Sequence, residues 1–442
     1  MKLIIPRIQK FLKKQIRKLG LSFADAPDPR QQGKVEHTMS SILWSLMLGL
    51  ISNQPTLRDV EEMTGNLSDI PRKLVPKGIS DTTLDTEIRR LDYEYLSNIL
   101  IKQIRGFNRS KMLKPSGLPC GVATIDGKNL ATVDHDAGGT GHKRTSENAK
   151  WHKKDKKNSG SGKPYWLMPV LRATLTSAEA RPCILQMPLP PGTGESTVCP
   201  DFVDAINNAY GRSDMVEILD FDSGFTSLAN ADHVNDRGYA YVFALKGNQM
   251  ALHAEAQRLL YRKAKHEKSE AQTDWEPRNG GRIRRKLWRT DEMRGYWTDA
   301  GCWDHLRQTW YVLQETEYPD GRIEQEHRFF VSSLLWNRLS AQQILTLVRR
   351  HWAIENDTFN SLDLQWREDS GPWCTQGQSV WCLGLMRIMA YNIVQCLRRR
   401  RLRPKDDSGA WLTPMRWRTL FEKIRDALKF EFLNTTVAQI SV

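Results

Sequence analysis

Residues 116–249 constrain the fold most strongly, because short apolar runs alternate there with helical patterns. Three runs are typical of buried strands: "GVATID", which ends at Asp126, "MVEILDFD", which ends at Asp222, and "YAYVFALK". "YWLMPVLRATLT" and "RPCILQMPLP" are plausible further strands, whereas "STVCPDFVDAINNAY" and "SLANADHVNDRG" have helical patterns. This alternation predicts a mixed α/β layer fold.

The flanking sequence predicts four further parts. Residues 1–115 have a helical pattern, residues 250–333 form a β-rich insertion with a hairpin turn at Tyr318-Pro319-Asp320-Gly321, and residues 334–403 complete the core with helices over Ser340–Leu364 and Ser379–Arg401. Residues 404–442 form a C-terminal tail. Within the core, the stretch from Val133 to Lys163 is rich in Gly, Lys and Ser and predicts a long exposed loop.

The formal net charge of +14 indicates a polyanionic partner, most often nucleic acid, although a merely basic soluble protein is the alternative. The seven cysteines form no CxxC pair, which favours a reducing compartment over a disulfide framework or a cysteine zinc site. The N-terminal stretch lacks a continuous apolar core, and the most apolar run, Ile42–Ile51, is too short to span a bilayer. We therefore expect a cytoplasmic protein.

Three acidic residues stand where functional groups collect. Asp126 and Asp222 end predicted strands, and Glu355 lies on the predicted helix after the insertion. Carboxylates from such elements can share one or two hard divalent cations. Each acid also has a structural interpretation: Asp126 as a turn residue, Asp222 as a turn or helix N-cap with Asp220 as competitor, and Glu355 as a helix acid paired with Arg349 or Arg350.

Glu355 poses a particular question. On a regular helix its face would hold His351, Trp352, Thr358 and Phe359, which is mostly apolar. A buried lone carboxylate is costly unless it is paired or binds a metal. The pattern therefore predicts a partner for Glu355.

Three segments together carry a family resemblance: "IDGKNL" at 125–130, "DSGFTSLANADHVNDRGYAYVFALKGNQ" at 222–249 and "RRHWAIENDTFNSLDLQWRED" at 349–369. They resemble DDE-type bacterial insertion-sequence transposases, of the branch that includes the H-repeat-associated proteins. The helical region near the N-terminus resembles the region associated with this branch, so the resemblance extends from about residue 28 to 395. The chain departs from the wider superfamily at Val348, His351 and Leu362, where a tyrosine, an arginine and a lysine are frequent.

The resemblance implies an RNase H-like mixed-sheet core, a DNA-binding N-terminal region, and Asp126, Asp222 and Glu355 as catalytic and metal-binding residues. It implies Mg²⁺, with Mn²⁺ as a possible substitute. The implied reaction is cleavage at transposon ends followed by strand transfer into target DNA. The implied partners are terminal inverted repeats, target DNA and further copies of the chain, as a homodimer or larger oligomer.

Other residues are candidates for contact with DNA, although each has a structural alternative. His351 could touch DNA, orient Glu355 or simply be packed, and Gly247-Asn248 could be a plain turn. The segment "PGTGEST" at 191–197 lacks the lysine of a phosphate-binding loop, and Glu195 would repel phosphate, so we expect no nucleotide cofactor. The full set of DNA-binding candidates is Lys128, Lys246, Gln249, Arg349, Arg350, His351 and Asn356.

Two other functions remain open on the sequence. One is a catalytically idle, domesticated DNA-binding protein, and the other is a metal-dependent nuclease that cuts DNA without strand transfer.

Overall fold

The computed structural model describes residues 4–134, 139–145, 164–278, 280–371, 373–407 and 412–429. The helices are α1 Ile4–Phe23, α2 Met39–Ile51, α3 Leu57–Gly65, α4 Asp69–Leu74, α5 Asp81–Ile88, α6 Tyr93–Arg109, α7 Glu195–Tyr210, α8 Leu228–Asp236, α9 Met250–His266, α10 Ala341–His351, α11 Asn360–Trp366, α12 Gln378–Cys396 and α13 Trp417–Lys429. The strands are β1 Val122–Val133, β2 His142–Thr145, β3 Pro164–Leu175, β4 Cys183–Pro188, β5 Ile218–Phe221, β6 Ala240–Leu245, β7 Ala271–Gln272, β8 Glu276–Arg278, β9 Gly281–Thr290, β10 Trp297–Thr298, β11 Gly301–Cys302, β12 Gln308–Glu317 and β13 Ile323–Ser332.

The chain forms two compact units. The first contains Met1–Met112, Asn129–Pro169 and Asn360–Val442, and the second contains Leu113–Lys128 and Val170–Phe359. Strands β1 and β3 each begin in one unit and end in the other.

The first unit is mainly helical, and its helices begin where the sequence supplies caps. The Thr38 side chain accepts a hydrogen bond from the Ser41 N–H at the start of α2, and Thr56 and Asp59 form a capping box at α3. Helices α1 to α6 all lie within residues 1–115, where the sequence has a helical pattern.

Helix α12 forms the centre of this unit. Its residues are almost all buried, and it packs against α2 and α6, where Gln103 donates to the Met389 carbonyl oxygen at 3.1 Å. The helical stretch Gln378–Arg401 is long and apolar enough to cross a membrane, but 94% of its apolar window is buried inside the protein. A core helix of a soluble protein has the same properties.

The second unit is built on a mixed sheet, in the order β3-β1-β5-β6-β13-β12-β9-β7, with β4 beside β3 and β8 beside β9. Strands β1, β5 and β6 are parallel, and β6, β13, β12 and β9 are successively antiparallel. Helix α10 packs against this sheet and contributes Ile344, Leu345 and Val348 to its apolar core. The predicted mixed α/β fold is confirmed, and it is consistent with an RNase H-like core.

Residues 250–333 differ from a purely β-rich segment. They open with helix α9, and strand β13 pairs directly with β6, so these strands extend the core sheet. The predicted hairpin is confirmed: β12 and β13 pair along their length, and the Tyr318 N–H donates to the Arg322 carbonyl oxygen at 2.9 Å.

Two predicted boundaries around β1 were wrong. The strand does not end at Asp126 but continues to Val133, where the Asn129 side chain accepts a hydrogen bond from the Met168 N–H at 2.8 Å. The stretch from Val133 to Lys163 is not wholly a loop, because β2 pairs with the first residues of β3. Residues 135–138 and 146–163 of that stretch lie outside the described residues.

The predicted helix over Ser340–Leu364 is helical but not a single α-helix. A capping box of Ser340 and Gln343 starts α10, which ends at His351. A π-helical segment, Ile354–Phe359, follows and carries Glu355 before α11 begins. Such segments are rare and occur frequently at functional sites.

Candidate active site

Neighbouring parallel strands bring Asp126 and Asp222 to the same edge of the sheet. Ile125 and Phe221 are register partners of β1 and β5, and each aspartate is the next residue of its chain segment. Adjacent strands lie about 4.8 Å apart. The two aspartate backbones are therefore close neighbours, although β1 continues beyond Asp126.

Asp222 is held in place by its surroundings. It follows buried Phe221 and precedes a short turn in which the Phe225 N–H donates to the Asp222 carbonyl oxygen at 3.2 Å. Its own side chain is 50% exposed and so reaches solvent.

Asp220 has the opposite environment. The residue is 1% exposed, and its Oδ2 accepts hydrogen bonds from Thr124 Oγ1 at 2.9 Å and lies 2.9 Å from His351 Nδ1. Of the two competing acids, Asp222 is thus the one with a side chain that can reach a ligand from solvent.

Glu355 is exposed, contrary to the expected burial on an apolar face. The regular helix that the expectation assumed ends at His351, and the π-helical segment changes which residues share a face. This segment is anchored by an ion pair between Arg181 and Asp357 and by a hydrogen bond between Thr174 and Thr358 at 3.3 Å.

The two arginines expected as partners of Glu355 are engaged elsewhere. Arg349 forms an ion pair with Glu276 at 2.8 Å, and Arg350 donates to the Ser177 carbonyl oxygen at 3.1 Å. Burial lowers the pKa of the Arg350 guanidinium. Arg350 is therefore held by the framework of the unit, whereas Arg349 remains half exposed.

The surroundings of the Asp126 carboxyl group disfavour its ionised form. Burial raises the pKa of Asp126 to about 7; the Gly127 N–H, which donates to Asp126 Oδ1 at 2.8 Å, opposes this rise, and the nearby Glu195 and Glu355 carboxylates add to it. A carboxylate with this environment gains from any cation that binds beside it.

Glu195 is a fourth acidic residue beside Asp126 and Asp222, and the sequence did not identify it as a site residue. Burial and the neighbouring Asp222 raise the pKa of Glu195. Its carboxylate packs directly on Gly127, where an added Cβ would overlap it. The only sequence signal for Glu195 was its position at the start of a predicted helix. That position does not reveal that Gly127, on a distant strand, is its neighbour.

The turn at residues 246–249 supports the loop after Asp222. Asn248 donates to the Ser223 carbonyl oxygen at 2.8 Å, and Gln249 donates to the Thr226 carbonyl oxygen at 2.9 Å. Lys246 is exposed, and its Nζ lies 3.9 Å from Asp222 Oδ1. Of the predicted DNA contacts in this turn, Lys246 points to the site and Gln249 makes a framework hydrogen bond.

The remaining residues predicted to contact DNA differ in their exposure to solvent. Asn356 is exposed beside Glu355. Lys128 lies over the ring of Phe359, at 5.7 Å from its centroid. His351 is only 7% exposed, so in this structure it faces Asp220 and not solvent.

The acids fit a hard divalent cation by their chemistry, because carboxylate oxygens are the ligands that Mg²⁺ prefers. Within the described residues, no group of three or more His, Cys, Asp or Glu side chains stands arranged to hold a metal ion. Shared coordination therefore requires the carboxylates of this cluster to turn toward one another.

A second charged region lies on strands β9 and β12. Arg284 and Lys286 contact the Glu315 carboxylate at 2.8 Å and 3.1 Å, and Arg282 contacts Glu317 at 2.9 Å. We call these five residues the charged ladder. Its basic side chains are already paired within the sheet.

The family described as transposase DDE domain matches residues 121–393, which is more than half of the chain. This range contains Asp126, Asp222 and Glu355. A comparison with curated proteins found no match. The chain belongs to the transposase DDE domain family.

Proposed function

We propose that this protein cuts DNA at the ends of a transposon and joins the freed ends to target DNA, with Asp126, Asp222 and Glu355 as the residues that hold Mg²⁺ or Mn²⁺. The observation that carries the proposal is the gathering of carboxylates from three separate elements around Asp126. Burial, together with the nearby Glu195 and Glu355 carboxylates, raises the pKa of Asp126 to about 7, and a bound cation would favour its ionised form.

Bound divalent cations would supply positive charge to the scissile phosphate and acidify the attacking hydroxyl group. The protein's own groups have distinct tasks. Asp126 must lose its proton before it can act as a ligand. Asp222 is fixed by the turn that Asn248 and Gln249 hold, and Glu355 is fixed by the anchored π-helical segment.

The reaction has two displacements at phosphorus. In the first, water attacks the phosphodiester at the transposon end, and the bond to the 3′ oxygen breaks to leave a 3′-hydroxyl. In the second, that hydroxyl attacks a target phosphodiester, one new P–O bond forms, and one is broken. No protein nucleophile is needed, which agrees with a site made of carboxylates.

DNA binding is proposed for the exposed groups around the acids. Lys246 and Asn356 are exposed at or near the site, Lys128 is partly exposed beside it, and Arg349 is half exposed where it pairs with Glu276. Gln249, Arg350 and His351 are reassigned to the framework that supports the site. The net charge of +14 provides further attraction to DNA, and we place the protein in the cytoplasm with the nucleoid.

Two copies of the chain, or more, are proposed to act together because two transposon ends must be processed. This arrangement follows from the proposed reaction.

The test is a cleavage and strand-transfer assay with DNA that carries the flanking inverted repeats and Mg²⁺. Asp222→Asn should abolish both steps, whereas the control Glu324→Gln, an exposed acid on β13, should retain them. Cleavage without joining by the unaltered protein would indicate a nuclease, and DNA binding without cleavage would indicate an idle DNA-binding protein. Full activity of Asp222→Asn would refute the assignment of the acids.

A further inference from the structure

We propose that Thr124, Asp220 and His351 form a buried positioning network that fixes the three acids relative to one another. The inference rests on the proposed function, because it concerns how the same site is held in shape. The three residues are 0%, 1% and 7% exposed, so none of them is available to DNA.

The network joins β1, which carries Asp126, to β5 and α10, which lead to Asp222 and Glu355. Thr124 lies on β1 two residues before Asp126, and Asp220 lies on β5 two residues before Asp222. His351 ends α10 four residues before Glu355. A fixed contact among these three residues therefore sets the relative positions of all three acids.

The geometry of the strands makes this link direct. Thr124 and Asp220 are register partners, and their side chains form a hydrogen bond of 2.9 Å. Residues two apart on a strand point to the same face of a sheet. Thr124 and Asp126 therefore point to the same face of the sheet, and Thr124 is the more buried of the two.

The hydrogen bonds are directional, which distinguishes them from apolar packing. Asp220 Oδ2 lies 2.9 Å from His351 Nδ1, and Thr124 Oγ1 also lies 2.9 Å from Thr176 Oγ1. Asp220 Oδ1 is buried and has no hydrogen-bond partner in the described part of the chain. His351 Nδ1 and Thr124 Oγ1 are therefore the two groups that contact the buried Asp220 carboxylate.

The position of His351 explains why a polar link is needed there. The α-helix ends at this residue, and the π-helical segment with Glu355 begins three residues later. Apolar contacts alone permit small shifts and rotations of such a segment. Replacing a buried pair by apolar residues is often neutral for stability, so its best-supported role is to set register.

The titratable and charged groups that face His351 are Asp220, Asp222 and Asp126. Loss of His351 would remove a titratable group as well as a contact from these acids. The experiment must therefore separate position from charge. Thr124→Val does so, because it removes a hydrogen bond and keeps the charge and nearly the shape of the side chain.

The test measures Mn²⁺ binding by the full chain, through the electron paramagnetic resonance signal of free Mn²⁺, together with the Mg²⁺ concentration for half-maximal DNA cleavage. We expect His351→Gln and Asp220→Asn to weaken Mn²⁺ binding about tenfold and to raise the Mg²⁺ requirement similarly. Thr124→Val should weaken binding about threefold. Affinity for the inverted-repeat DNA without metal should stay unchanged, since the network does not reach solvent.

Val348→Ala is the matched control, because Val348 is a buried residue of the same helix outside the network. It should lower thermal stability and leave Mn²⁺ affinity unchanged. Wild-type Mn²⁺ affinity in folded His351→Gln or Asp220→Asn would overturn the proposal. Should both variants fail to fold, unchanged affinity in Thr124→Val would overturn it.

Failure of the proposed function gives a different pattern. A wild-type chain that binds Mn²⁺ but does not cleave DNA would overturn the function and leave the positioning role intact. A wild-type chain that binds no Mn²⁺ would overturn both.

Discussion

The charged ladder and the acid cluster, which consists of Asp126, Glu195, Asp222 and Glu355, lie in the same unit but differ in how their charges are paired. In the ladder, Arg284 lies opposite Glu315 and Arg282 opposite Glu317, so register pairs each cation with an acid. In the cluster, Asp126 has Glu195 and Glu355 as neighbours, and its pKa rises to about 7. Charges that are paired within the chain stabilise the fold, whereas like charges gathered together disfavour their own ionisation and would favour a cation that binds beside them.

The difference shows which basic side chains are available to DNA. Strand β9 is rich in arginine and lysine, but the facing strand β12 supplies acids to Arg282, Arg284 and Lys286. Lys246, with Nζ at 3.9 Å from Asp222, is better placed to meet DNA at the site.

The largest expected effect compares one acid from each region. Glu355→Gln should reduce DNA cleavage by about a thousandfold, because roughly 4 kcal/mol of transition-state stabilisation depends on the cations it helps to hold. Glu315→Gln in the ladder should leave the cleavage rate within about threefold of wild type. Single-turnover cleavage at saturating DNA measures both. Equal losses in the two variants would erase the distinction between the regions.

The next effect is the dependence of cleavage on pH. The pKa of Asp126 is raised to about 7, so the residue holds a proton below this pH and cannot act as a ligand. At subsaturating Mg²⁺ the cleavage rate should therefore rise about tenfold per pH unit up to about pH 7 and then level off. Saturating Mg²⁺ should move the midpoint to lower pH because the cation competes with the proton. A flat profile between pH 5.5 and 8 would argue against the raised pKa.

A smaller effect is expected for the exposed cation near the acids. Lys246→Ala should weaken binding to DNA severalfold and reduce the salt dependence of binding by about one unit of slope, as expected for one phosphate contact. Lys286→Ala in the ladder should leave the slope unchanged, because that lysine is paired with Glu315. Titrations of labelled DNA at several salt concentrations measure the two slopes. Equal changes of slope in the two variants would indicate that DNA also contacts the charged ladder.

The smallest effects concern stability without metal, and they should have opposite signs. The folded-state pKa of Asp126 lies above its ordinary value of about 4. Ionisation of Asp126 therefore lowers the free energy of unfolding as pH rises from about 4 to 7. Above pH 7 this loss of stability is at its maximum and no longer changes. Asp126→Asn should therefore raise the melting temperature at pH 8 by about 2–4 °C, if about 1 kcal/mol is relieved.

Glu315 gives the contrast. Burial opposes its ionisation, but hydrogen bonds from Arg284 and Lys286 prevail and lower its pKa. Its contribution to stability is present above its ordinary pKa and lost as pH falls, so Glu315→Gln should lower the melting temperature at pH 8. Thermal unfolding at pH 8 and pH 4 in the presence of a chelator tests both, since both effects should fade at pH 4. The same sign in both variants would contradict the comparison.

Local sequence signals predicted much of the fold. The turn at Tyr318-Pro319-Asp320-Gly321 and the start of the helical stretch at Ser340 depend on a few neighbouring residues, and both appear as expected. The extension of β1 to Val133 depends on pairing with a distant strand, which local patterns do not report. The π-helical segment at Ile354–Phe359 likewise depends on tertiary anchors such as the Arg181–Asp357 ion pair.

The candidate site shows the same limit. The motifs located Asp126, Asp222 and Glu355, and strand pairing explains how the first two come to one edge. The burial of Asp220 with His351 and the packing of Glu195 on Gly127 involve residues far apart in sequence. Their roles become visible only once the strands and helices are placed.

The central claim is that these carboxylates bind the divalent cations that DNA cleavage requires. A crystal structure of the chain with Mn²⁺, examined by anomalous scattering, tests it most directly. The account predicts an anomalous peak in contact with both Asp126 and Asp222, with Glu355 at the same peak or at a second one about 4 Å away. A DNA-cleaving protein whose Mn²⁺ peaks lie away from all three carboxylates would contradict it.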